Sequence, residues 1–99
     1  MKLLLCRDCE DVFKLHEQSI SSCHCGSTQG AYIDNLNAVY KGNAIPLGFG
    51  NTTLVTAIKK ELQDQKEERS KNLGHTFDAF VIPWNCNTFT KVDNINEYL

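Results

Sequence analysis

Apolar positions come in short runs broken by polar turns, and only one stretch repeats with a helical period. Leu3 to Leu5 and Val12 to Leu15 read as two short strands on either side of a charged loop. Ala31 to Gly50 is strand-like and interrupted: Tyr40-Lys41-Gly42-Asn43 predicts a hairpin turn, with Gly42 and Asn43 able to take positive φ. Pro46 marks the following segment as an edge strand or one that ends early. Asn51-Thr52-Thr53 then offers N-cap candidates for a helix. Leu54, Ile58 and Leu62 recur every four residues and Val55 widens the stripe, which predicts one buried face over about three turns. Along the polar run DQKEERSKN the helix frays or projects into solvent until Gly74 stops it. His75 to Pro83, HTFDAFVIP, is the strongest strand signal. Phe77, Ala79 and Val81 point one way and Phe80 and Ile82 the other, as in a central strand buried on both faces. A loop containing Trp84 leads to a final short strand around Phe89 to Val92.

The expected fold class is therefore α+β: an N-terminal ribbon, a small mostly antiparallel β-sheet and one amphipathic helix. Residues 1–30 are expected to form a metal-organised unit. Residues 31–99 are expected to form a sheet-plus-helix unit packed with it as one compact domain.

Composition narrows the function classes. Hydrophobic residues make up 41 % of 99 positions, enough for a folded core but a modest one, so a staple would add usefully to stability. The formal net charge is −2, and four thiolates on a divalent ion would make the chain more acidic still. No basic stripe is visible, which argues against nucleic acid as a partner, since such binding leans on clustered Lys and Arg. No apolar run is long enough to span a membrane, and Arg7-Asp8 breaks the opening run too soon for a signal peptide. A cytoplasmic, reducing location is expected, where clustered cysteines more often hold metal than form disulfides.

Four of the five cysteines fall between Cys6 and Cys25. Cys6-x2-Cys9, thirteen residues, then Cys23-x-Cys25 followed by Gly26 is close to a zinc-ribbon layout. Two tight turns across a hairpin let four thiolates converge on one tetrahedral Zn²⁺, and Gly26 suits the turn after the last ligand. The CxC pair is tighter than the usual CxxC and must bring Cys23 and Cys25 to one side of their turn. Two alternatives stand beside this reading. Cys6-x2-Cys9 can be a thioredoxin-like redox pair, although the βαβ pattern is missing and Cys23 and Cys25 are then unexplained. His16 or His24 can replace a cysteine, although His24 lies between two ligands and His16 in mid-hairpin. Four cysteine ligands close the coordination sphere, so the expected metal is structural. Cys86 has no His or acid near it in sequence to make it a nucleophile, and the chain reads as a non-enzyme.

PLGFGNTT is the second informative stretch. Gly50, Asn51, Thr52 and Thr53 open the helix, where free N–H groups favour an anion. Tyr40 and Trp84 are candidate stacking surfaces for a nucleotide-like ligand. Without GK[ST] the stretch is not a nucleotide-hydrolysing loop. The ordinary alternative is a strand-to-helix turn with a polar cap. The combination CxxC…CxCG, YIDNLNAVYKGNAIPLGFGN and FDAFVIP resembles a group of small uncharacterised zinc-ribbon proteins of bacteria and their phages. The resemblance implies an accessory protein of a mobile element. Such a protein would act by binding a host protein or by sequestering a small anionic, nucleotide-like ligand. A homo-oligomer is compatible with either, and a transcription-type nucleic-acid ribbon is a further alternative.

Overall fold

The computed structural model describes residues 1–70 and 74–99. The strands are β1 (Lys2–Cys6), β2 (Val12–Lys14), β3 (Ser21–Ser22), β4 (Gln29–Tyr32), β5 (Ala38–Lys41), β6 (Ala44–Phe49), β7 (Ala79–Val81) and β8 (Phe89–Lys91). One helix, α1 (Asn51–Lys66), lies between β6 and β7, and a 3₁₀ turn spans Ile95–Tyr98. The fold is α+β, with two four-stranded sheets ordered β2-β1-β6-β7 and β3-β4-β5-β8. All the registered pairings are antiparallel except β5 with β8. The chain falls into two compact units. The larger comprises residues 2–48 and 81–99, the smaller Met1 with residues 49–80.

In the larger unit, β1 pairs with β2 on one side and β6 on the other, so that Leu4 faces both Phe13 and Pro46. Leu4 and Leu15 are buried with Ala38, Tyr40, Ile82 and Phe89 in one cluster. Tyr40 and Phe89 meet edge to face at 5.2 Å, the arrangement the aromatic quadrupole favours. Ala31, Val39 and Ile95 form a second cluster on the other face of β4 and β5.

Two strand expectations are corrected here. Tyr40-Lys41-Gly42-Asn43 is a turn but not a hairpin, because β5 and β6 belong to different sheets. Gly42 has φ of +99° and passes so close to Ser27 that a Cβ would lie 2.2 Å from its carbonyl oxygen. That close approach turns the chain away from β5. Pro46 lies in an inner strand rather than at an edge, since β6 runs between β1 and β7. Its carbonyl still accepts the Ile82 N–H at 2.9 Å.

In the smaller unit, the helix cap is Gly50, without a side-chain cap bond. The Thr53 hydroxyl instead donates back to the Gly50 carbonyl at 2.9 Å. The expected buried face is turned outward beyond Leu54, which is half-buried. Ala57 is the buried residue of α1, whereas Ile58 is 49 % and Leu62 59 % exposed, with Val55 beside them. Polar contacts hold the opposite face: Asp64 binds His75 at 2.7 Å and Glu61 accepts from Ser70 at 2.7 Å. The helix ends at Lys66, and residues 71 and 72 of the polar run lie outside the described residues.

The expected central strand is also corrected. Only Ala79–Val81 is extended and paired; it lies at a sheet edge, and all three residues are exposed. Ile82 alone of the expected faces is fully buried.

Truncating a fully buried ring should cost far more than truncating an exposed one. Phe89→Ala should lower stability by about 3–5 kcal/mol in urea unfolding. Trp84→Ala, at a side chain 88 % exposed, should stay within about 0.5 kcal/mol of the parent.

Candidate metal centre

The two cysteine turns belong to different sheets. Cys6 ends β1, and the loop back to β2 carries Cys9, with Cys6 N–H donating to the Asp11 carbonyl at 2.9 Å and Glu10 N–H to Cys6 at 2.8 Å. Glu10 takes a positive φ of 62°, which closes that turn. Cys23 and Cys25 sit between the paired β3 and β4. Their turn is closed by Cys23 N–H to Thr28 at 3.0 Å and Gly26 N–H to Cys23 at 3.1 Å. Gly26 has φ of +81°, the left-handed conformation expected after the last cysteine.

All four Sγ atoms lie within 4.8 Å of one another. Cys25 Sγ is 3.7 Å from Cys6 Sγ and 3.6 Å from Cys23 Sγ, so the CxC pair does share one side of its turn. Cys6 and Cys23 are buried, Cys9 is half-buried and Cys25 is exposed. Four soft sulfur donors gathered this closely can hold a metal ion.

The surroundings suit thiolates. Thr28 N–H donates to Cys23 Sγ at 3.3 Å, and, second to Ser27, the buried Thr28 side chain helps to lower the Cys6 thiol. Ser27 Oγ lies 2.9 Å from Asp8 Oδ2, 3.3 Å from Cys6 Sγ and 3.2 Å from Cys25 Sγ, so its one proton is shared among three acceptors. Contact with the Ser27 hydroxyl foremost lowers the Cys6 thiol to about 5. Asp11 N–H also draws the Cys9 thiol down. Burial and the adjoining Cys25 and Cys6 sulfurs outweigh it, raising Cys9 to about 11. Several thiolates cannot ionise side by side without a cation, because like charges disfavour each other. The cluster therefore has a place for one.

One further bond ties the two cysteine turns together, and two more tie the first of them to the turn after β5. Asp11 accepts the His24 N–H at 2.9 Å, Asp8 accepts from the Asn43 amide at 3.2 Å, and Arg7 N–H donates to the Asn43 carbonyl at 2.8 Å. Sequence reasoning missed these groups and Ser27. The alternation of acids with cysteines in CRDCED is the signal that carries Asp8 and Asp11. His16 and His24 are exposed and outside the sulfur cluster. Cys86 is half-buried against the core, with Thr88 Oγ1 at 3.3 Å lowering its thiol. It is not part of the cluster.

The expected ligand residues are spread across both units. Gly50 to Thr53 belong to the smaller unit, Tyr40 and Trp84 to the larger. Tyr40 is buried in the core and offers no open ring face, whereas Trp84 stands in solvent. Asn51 Oδ1 already accepts from the Met1 amino group at 2.7 Å. The Thr53 hydroxyl is engaged twice, since it also accepts the Asp78 N–H at 3.0 Å. A Cβ at Gly50 would lie 2.8 Å from that hydroxyl, so a larger residue there disturbs the helix start itself. Among the described residues no helix is long and apolar enough to cross a membrane. No protein-family model, curated protein or solved structure matches the chain.

The sulfur chemistry has a pH signature. In metal-free protein at pH 7 the cluster is already partly ionised, with Cys6 drawn down to about 5 and Cys9 pushed up to about 11, so binding a divalent ion should release fewer than four protons. Below about pH 5 Cys6 is protonated, and the release should rise toward four as affinity falls. An indicator titration in weak buffer under reducing conditions measures this. Release of four protons at pH 7 would contradict the assignment.

Proposed function

We propose that the chain is a non-catalytic zinc-ribbon protein that binds a small anionic, nucleotide-like ligand. Zn²⁺ on Cys6, Cys9, Cys23 and Cys25 serves as a structural staple. The observation that carries the zinc assignment is the sulfur geometry. Sulfurs about 2.3 Å from a tetrahedral Zn²⁺ stand about 3.8 Å apart. The Cys6–Cys25 and Cys23–Cys25 separations of 3.7 and 3.6 Å are close to that edge. Four protein ligands leave no coordination position for water or substrate, which supports a structural rather than catalytic role. The free thiols fit a reducing, cytoplasmic setting.

A second reading, an adaptor that binds another protein, is favoured by the outward stripe of Val55, Ile58 and Leu62. Apolar side chains repeated on one helix face suit the face of a partner.

Metal analysis of protein made under reducing conditions should find one zinc per chain. Cys86→Ser should keep it, and Cys9→Ser should lose much of it. Absence of zinc, or iron in its place with visible absorbance, would overturn the assignment. For the second reading, native mass spectrometry should show a protein partner that Ile58→Glu releases while zinc is retained. A chain that is free of any protein partner removes that reading.

A further inference from the structure

The smaller unit contains a cavity of about 330 Å³ along the flank of α1, between the helix and residues 75–78. Thr52, Thr56 and Lys60 line it from one side, at a spacing of four residues that places them in a single row. His75, Phe77 and Asp78 line it from the other. The facing segment runs antiparallel to the helix and is pinned at both ends. Asp78 N–H bonds Thr53 Oγ1 at 3.0 Å and the Asp78 carbonyl accepts from Gly50 N–H at 2.8 Å. His75 bonds Asp64 at 2.7 Å, about three turns of helix further on from Thr53.

These bonds sort the lining by what it can still do. Thr53 and His75 are committed to the fold. The hydroxyls of Thr52 and Thr56, the Lys60 ammonium and the Asp78 carboxylate have no side-chain hydrogen bond or ion pair among the described residues. The Phe77 ring touches Phe49 edge to face at 5.2 Å and stays partly exposed. The cavity thus presents one free cation, two free hydroxyls, an aromatic ring and one free carboxylate. Asp78 is anchored beside Thr53, and Lys60 follows seven residues later, so the two charges are rooted about 10 Å apart along the helix.

We propose that this cavity binds a single nucleotide whose base carries an exocyclic amine. The phosphate lies against Lys60 and the Thr56 hydroxyl, where a point charge and a donor meet the anion. The base lies on Phe77, and its amine donates to the Asp78 carboxylate. The volume is at the lower end of ordinary ligand sites, which fits one nucleotide and excludes a longer strand. One free lysine is likewise too little charge for a polynucleotide. Uracil and thymine present a carbonyl where cytosine and adenine present an amine, so Asp78 disfavours them. This inference rests on the small-ligand reading proposed above and adds its place, chemistry and base preference.

The test is titration of the zinc-loaded full chain with AMP, CMP, UMP and adenosine, followed by amide NMR and calorimetry. AMP and CMP should bind and shift amides at residues 52–60 and 75–78. Adenosine and UMP should bind at least tenfold more weakly than AMP and CMP, respectively. Lys60→Ala should bring AMP down to the level of adenosine, and Asp78→Asn should close the gap between CMP and UMP. Both side chains are exposed, so an unchanged amide spectrum elsewhere confirms that each variant is folded. Binding with shifts confined to other residues, or unaffected by both substitutions, overturns this site but leaves the small-ligand reading standing. No binding by any of the four overturns both.

Discussion

Four sulfur atoms from two turns occupy one small volume in the larger unit, and each turn closes a pair of strands in a different sheet. A cation at that point would join β1–β2 to β3–β4 through metal–thiolate bonds, a stronger tie than any one apolar contact between them. The core beside it is limited: six buried residues form its main cluster, with Leu4, Leu15, Tyr40 and Phe89 the largest. A domain with so modest a core gains most from a cross-link that the unfolded chain cannot make. The turn after β5 depends on the same arrangement, because Gly42 passes against Ser27 and Asn43 bonds both Arg7 and Asp8.

The cysteine spacing, the two strands around the first turn and the single helix were legible because each has a local cause. Ligand spacing, alternation and a period near 3.6 are properties of short stretches. What the sequence hid was which face each element turns inward. Leu54, Ile58 and Leu62 are periodic, but Asp64 and Glu61 engage His75 and Ser70, and of the expected stripe Leu54 stays half-buried while Val55, Ile58 and Leu62 face outward. HTFDAFVIP reads as a buried strand, yet Thr53 and Gly50 capture Asp78 and leave only three residues paired at an edge. Long-range polar bonds of this kind leave no periodic mark.

The ligand residues were legible only in part, for the same reason. Thr52 lies in the cavity, but Asn51 and Thr53 are spent on the fold and Tyr40 on the core. Lys60, Phe77 and Asp78 are distant in sequence and meet only because the 75–78 segment folds back along α1. The exposed stripe on α1 and the exposed β7 residues mark the surface that remains without cover among the described residues.

The structural role of the cysteine cluster is most directly tested by X-ray absorption at the zinc edge on protein purified from cells. The account predicts a first shell of four sulfurs at about 2.3 Å and no nitrogen or oxygen scatterer. A shell containing imidazole nitrogen or water oxygen, or no zinc to measure, would contradict it.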